Sequence, residues 1–179
     1  DTIVTCDNGI AALEQVHLAK ELGMTVIVTD HHEVPYTEEN GNKEYHLPPA
    51  DVVVDPKQSA DTSHFKGICG ALIAYKLIEA LCEKSGEEEK KKSLQKELLP
   101  FAALATVCDV MELRDENRII VKYGMQQMKE TENPGLLALL QVNDLMDKEL
   151  SPYHAGFILG PCLNATGRLD SADRALRLF

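Results

Sequence analysis

Between Ile3 and Thr29 the chain reads as strand, helix, strand, and that order constrains the fold more than any other stretch of its 179 residues. Ile3-Val4-Thr5 is a short β-favouring run, and Asp7-Asn8-Gly9 is turn chemistry leading into a helix. Ile10, Leu13, Val16, Ala19 and Leu22 then recur at helical spacing to give one apolar face, and Gly23 supplies a stop. Thr25 to Thr29 is the next strand. Two strands joined by a helix within about thirty residues form a βαβ unit, whose connectivity makes the strands parallel. Val52-Val53-Val54, closed by Asp55-Pro56, is expected to extend the same sheet. The fold class is therefore α/β, a parallel β-sheet flanked by helices.

The rest of the chain reads as helical. From Gly70 to about Cys82 the pattern turns Leu72, Ile73, Leu77, Ile78 and Leu81 inward. The mixed charge block EKSGEEEKKK, residues 83–92, reads as a solvated loop or frayed helix end. A buried helix is expected over Leu98 to Val107, and amphipathic ones over Ile119 to Met128 and Leu136 to Gln141. Asn133-Pro134 and Ser151-Pro152 have the N-cap and N1 chemistry that opens helices, and Ser171 is an N-cap for the tail SADRALRLF. This places an α/β domain at 1–150 and a helical segment at 151–179.

Composition narrows the class. Hydrophobic residues make up 44% of the chain without any stretch near membrane-spanning length, which predicts a soluble globular protein. The five cysteines, Cys6, Cys69, Cys82, Cys108 and Cys162, form no CxxC pair, which fits a reducing compartment better than a disulfide framework or zinc site. DTIVTCDNGI lacks the basic and apolar regions of a signal peptide, so a cytoplasmic location is expected. A net charge of −11 repels polyanions at long range. Nucleic-acid binding would therefore need local positive charge or metal ions.

The chemistry gathers where strands end. In an open parallel sheet, ligands bind at the carboxyl ends of the strands. Asp7 lies at one such end and the Asp30-His31-His32 cluster at the next. Neighbouring strands would bring Asp7 and His31 within about 5 to 10 Å, close enough to share a divalent ion. Oxygen and nitrogen ligands without thiolate favour Mn²⁺ or Mg²⁺ over structural zinc. Asp-Asn-Gly is also a common turn, and Asp109 in LATVCDVMEL reads equally as a helix cap. Three adjacent titratable groups at the mouth of an apolar strand are harder to explain structurally, because burying them unpaired costs several kcal/mol. Cys6 and Cys108 each precede an acid and, on extended backbone, would point into the core.

TCDNGI (5–10), VTDHHEVP (28–35), GICGALIAYKL (67–77), LATVCDVMEL (104–113) and GPCLNATGRL (160–169) together resemble the DHH phosphoesterase superfamily, and within it the RecJ-like single-strand-specific DNA exonucleases. The resemblance covers nearly the whole chain. It implies a two-metal phosphodiesterase, usually Mn²⁺-dependent, acting 5′ to 3′ on single-stranded DNA in recombination and repair, with replication or repair proteins as further partners. It assigns Asp7 as the aspartate bridging both metals, His31 and Asp109 as ligands of one ion, and His32 as the imidazole near the scissile phosphate. Asp30 would orient an imidazole N–H. Asn164 and Arg168 fall where the family has polar residues near the nucleic-acid path, whereas Cys162 stands where RecJ-like chains commonly carry Arg. Arg168, Arg174 and Arg177 read either as phosphate contacts or as ordinary helix surface with partners such as Asp170 or Asp173.

The family's first Asp-rich motif precedes the DNG motif and has no counterpart within these residues, and the downstream DHH-associated domain is likewise outside them. The expectation is weak or single-metal occupancy and little hydrolysis by the chain alone. The same resemblance leaves room for a phosphoesterase acting on short oligonucleotides, cyclic dinucleotides or pyrophosphate, and for a scaffold that has lost its chemistry.

Overall fold

The computed structural model describes residues 1–169 and 171–179, which gather into two compact units, Asp1–Ala74 and Tyr75–Phe179. In the first unit the expected βαβ unit is present. Strand β1 (Thr2–Val4), helix α1 (Leu13–Glu21) and strand β2 (Thr25–Thr29) follow one another, and β5 (Val52–Val54) completes a parallel sheet of order β1-β2-β5. Thr2 pairs with Thr25, and Thr29 with Val54, so the carboxyl ends of all three strands lie along one edge. Val16 and Ala19 of α1 pack on Val26 and Val28 of β2. Ile10 is buried ahead of the helix, whereas Leu22, expected on its apolar face, is exposed because the helix ends at Glu21. Asp51 fixes the entry of β5: its carboxylate accepts the Val26 N–H at 2.7 Å and pairs with Lys20 at 2.6 Å.

One element of this unit went unread. Strands β3 (Tyr36–Glu39) and β4 (Asn42–Tyr45) form an antiparallel hairpin around Asn40 and Gly41, both at positive φ. Asn-Gly is the preferred two-residue turn for such a ribbon, so the signal was there. The absence of apolar alternation concealed it, since every residue of both strands is exposed.

Helix α2 (Gly70–Ser85) begins in the first unit and runs into the second. Leu72 and Ile73 are buried as expected, but Leu81 is exposed and Cys82 takes the inward position. The charge block is mostly helix rather than loop. Only Gly86, at φ +72, and Glu87 separate α2 from α3 (Glu88–Cys108). Ion pairs of Lys90 with Glu87, Lys92 with Glu89 and Lys91 with Glu83 let this polar stretch stay helical.

In the second unit α3 packs on α4 (Asp115–Met128), and α5 (Pro134–Val142) is capped by Asn133, which accepts the Leu136 N–H at 3.0 Å. Leu104, Val121, Met125, Met128, Leu136 and Leu140 form the centre of its core. Ser151 and His154 make a capping box at the start of α6 (Pro152–His154), followed by a π-helical turn (Ala155–Leu159) and α7 (Gly160–Leu169). The last helix, α8, spans Asp173–Leu178, and Ser171 Oγ accepts the Asp173 N–H at 3.2 Å beside its start.

Gly124 permits the close approach of α4 to α3. A Cβ at this position would collide with Ala103 Cβ and lie 2.7 Å from the Leu99 carbonyl oxygen. Gly124→Ala should therefore destabilise the fold by about 1–3 kcal/mol, although alanine is the better helix former. Urea unfolding would show the midpoint lowered at constant m value.

Candidate metal centre

The site is built at the carboxyl edge of the sheet. Beyond β1 the chain stays attached to β2: Thr5 N–H donates to the Ile27 carbonyl at 2.9 Å and Thr29 Oγ1 donates to the Thr5 carbonyl at 2.6 Å. Asp7 then adopts φ +59, a left-handed conformation uncommon for a residue with a side chain, and ends the extended course. Its Oδ1 lies 2.9 Å from His31 Nε2. Asp7, His31 and His32 each offer a ligand atom within 4.8 Å of the others. Asp7 and His32 are exposed while His31 is 8% exposed, so a half-open site has one anchored imidazole at its base.

Gly70, the first residue of α2, brings the helix start against Asp7. A Cβ there would fall 2.5 Å from Asp7 Cβ and 2.6 Å from its Oδ1. The positive end of the helix dipole suits a carboxylate in that place. Cys6 is not among the ligand atoms gathered here, and partial burial of its thiol, followed by the charge of Asp7, pushes it up from its ordinary value. The donor set is thus carboxylate and imidazole, which fits Mn²⁺ or Mg²⁺.

Asp30 holds the imidazoles in place. It is buried, its Oδ2 accepts the Ile10 N–H at 2.9 Å, and its Oδ1 accepts the His31 N–H at 2.8 Å. The same Oδ1 lies 2.7 Å from His32 Nδ1. Burial alone would raise the Asp30 carboxyl, but the hydrogen bonds from Ile10, the His32 ring and the His31 and His32 N–H groups outweigh it and hold the group below its ordinary value. An ionised Asp30 accepts only, so His32 Nδ1 carries the proton in this contact and, in the neutral ring, Nε2 is the nitrogen with a lone pair to offer. The two rings lie with centroids 4.5 Å apart.

A further acid at this edge escaped the sequence reading. Asp55 directly follows β5 and is 2% exposed. Its Oδ1 accepts the Lys57 N–H at 2.7 Å, while Oδ2 is buried with no hydrogen-bond partner among the described residues. Burial pushes the carboxyl up to about 6 despite that bond, and the nearby Asp30 charge adds to the rise. Its position after an apolar triplet matches that of Asp30, and this parallel was the signal available.

The other sequence candidates belong to the second unit. Asp109 follows the last residue of α3 as its exposed C-cap, with its N–H donating to the Ala105 carbonyl at 2.8 Å. Cys6 and Cys108, expected to face a core, are both exposed. Cys108 ends a helix rather than lying on extended backbone, so strand alternation does not apply to it. Asn164 and Arg168 are exposed on α7, as is Cys162, whose Sγ lies 3.6 Å from Asn143 Oδ1. Arg174 and Arg177 are exposed on α8, and Asp170, one of the partners expected for these arginines, lies outside the described residues.

Residues 1–106 match the family model described as the DHH family, N-terminal domain. The chain belongs to the DHH family. Over 177 residues it is 40% identical to the single-stranded-DNA-specific exonuclease RecJ of Bacillus subtilis (strain 168), covering 99% of this chain and 20% of that relative. It is 37% identical over 184 residues to the Escherichia coli (strain K12) protein of the same name, covering 99% of this chain and 30% of that one. Among solved structures, RecJ in complex with Mn²⁺ from Thermus thermophilus is similar with a TM-score of 0.78 at 31% identity, over 99% of this chain and 24% of that one. An exonuclease RecJ bound to manganese gives 0.79 at 30% identity, over 99% and 41%. This DHH chain therefore spans less than a third of the length of these two curated relatives.

The state of Asp55 makes a pH prediction. A carboxyl raised to about 6 in the folded protein, against an unfolded value near 3.8, means that the native state holds the extra proton between these limits. Stability from this group is full below about pH 4, falls as pH rises towards 6, and stays lost above it. Asp55→Asn keeps the acceptor for Lys57 and cannot ionise. In the presence of a chelator, its melting temperature relative to the parent should rise from pH 4 to 6 and level off by pH 7.

Proposed function

We propose that this chain is the DHH portion of a metal-dependent phosphodiesterase that removes nucleotides from the 5′ end of single-stranded DNA, in cytoplasmic recombination and repair. The observation that carries the reading is the convergence of Asp7, His31 and His32 at adjacent strand ends, with ligand atoms within 4.8 Å of one another. The names of the relatives, their manganese-bound structures and the shared fold support it. Residues 1–150 would form the phosphoesterase domain, and 151–179 the helical lead towards a domain that helps hold the strand.

Asp7 and His31 would hold a Mn²⁺ or Mg²⁺ ion, with Asp7 shared between two ions where a second is bound. Such ions supply a hydroxide at neutral pH and neutralise charge on the attacking and leaving oxygens. The chain's own residues set the geometry. Asp30 keeps the His32 ring oriented with Nδ1 protonated, so that Nε2 is the position turned to a phosphate oxygen or a ligand. Buried His31 resists displacement and fixes the base of the site. Asn164 and Arg168 would contact the strand, and local positive charge there would offset the repulsion of a chain with net charge −11.

The decisive test uses the natural full-length protein on 5′-labelled single-stranded DNA with Mn²⁺. Asp7→Ala and His31→Ala should each reduce cleavage by about a hundredfold or more while leaving the circular dichroism spectrum unchanged. Calorimetry should show manganese affinity falling in parallel. Degradation of oligonucleotides of a few residues, with long single strands left intact, would overturn the substrate assignment. Full cleavage by Asp7→Ala would overturn the site.

A further inference from the structure

The helical run that follows Ser151 holds two aromatic rings out in water. Tyr153 of α6 is 62% exposed and Phe157 of the π-helical turn 73%, yet the rings stack on each other, with centroids 5.3 Å apart and planes 26° from parallel. The His154 ring meets Tyr153 edge-on at 5.8 Å, and His154 is itself fixed by the Ser151 capping box. Ala155 and Leu159, both fully buried, tie the turn to the core beneath. Two large apolar rings are thus presented on a rigid base rather than used for packing.

The rings begin a stripe along this run. Tyr153, Phe157, Pro161, Asn164 and Arg168 recur at spacings of four, four, three and four, and all five are exposed, whereas Ala155, Leu159 and Gly160 are buried. Along the stripe the chemistry passes from ring faces to a side-chain amide and then a guanidinium. Among the described residues Arg168 forms no ion pair with a carboxylate. An apolar protein surface would find little beyond the two rings to bury against. A strand of unpaired nucleotides matches the stripe throughout, because its bases offer π faces to the rings and its phosphates offer charge to the guanidinium.

We propose that the Tyr153–Phe157 pair is a stacking platform for unpaired bases and selects single strands over duplex, an inference that rests on the nuclease reading given above. Bases in a duplex already stack on one another and offer only their edges in the grooves, so a ring standing in solvent engages a base only when its face is free. Every base has such a face, which makes the contact tolerant of sequence. Stacking acts at contact range and therefore adds affinity that the net charge of −11 does not cancel.

Fluorescence polarisation of the natural full-length protein, in a chelator, with fluorescein-labelled oligo(dT) and with a strand of the same length whose central residues are abasic tests this directly. The parent should prefer oligo(dT) by about tenfold or more, and Tyr153→Ala/Phe157→Ala should bind oligo(dT) as weakly as the abasic strand. Tyr153→Phe should keep the preference, because the ring face and not the hydroxyl makes the contact. With Mn²⁺ present, the double variant should raise KM for long single strands by a like factor. Its circular dichroism spectrum and manganese affinity should match the parent's, since both rings lie outside the core. An undiminished preference for oligo(dT) in the double variant, equal binding of both strands by the parent, or competition by duplex as effective as by oligo(dT) would each overturn the platform and leave the nuclease reading standing. A parent protein that neither binds nor cleaves single strands would overturn both.

Discussion

The candidate centre depends on one buried carboxylate. Asp30 gathers the Ile10 N–H, the His31 N–H and the His32 ring, and its own N–H donates to the Val54 carbonyl at 3.0 Å. A single residue thereby links the run into α1, the backbone of His31, the His32 ring and the neighbouring strand. An ionised group removed from water is tolerated only when such donors replace its hydration. The price is a site that cannot be repacked with apolar residues without releasing both histidines. The neighbouring Asp55 shows the contrast: with one donor rather than several, its carboxyl is pushed up to about 6, whereas that of Asp30 is held below its ordinary value.

Long-range and short-range electrostatics point in opposite directions in this chain. A net charge of −11 would hold polyanions away, yet the strand ends concentrate carboxylates and imidazoles in a way that suits a divalent cation. A bound cation would be the largest local charge and would reverse the sign of the field where a phosphate sits. The start of α2 against Asp7 acts in the same sense, holding the carboxylate with the positive end of a helix.

The parallel sheet was legible because β-favouring runs and a helical repeat cannot be arranged otherwise in so short a stretch, and Thr25–Thr29 is a strand over the residues expected. Asp7, His31 and His32 were legible because polar clusters at the end of apolar strands need partners. Other features depend on tertiary context. Leu22 and Leu81 continue an apolar pattern that the fold leaves in water, whereas the charged run after Cys82 becomes helix through ion pairs that composition does not reveal. The role of Gly70 is a matter of approach distance, which a sequence cannot show, and Asp55 was hidden behind an ordinary Asp-Pro turn.

The β3–β4 ribbon is built to a different rule from the rest of its unit. It buries nothing, holding itself together with the Tyr36–Tyr45 ring contact and Lys43 above the Tyr36 ring, and its base closes through the His46 N–H donated to the Pro35 carbonyl at 2.8 Å. Such a self-sufficient appendage can be lengthened, trimmed or exchanged for a reporter group without altering the register of the parallel strands. It gives evolution, or a protein engineer, a point of access only a few residues downstream of His32 that leaves the ligand-bearing backbone untouched.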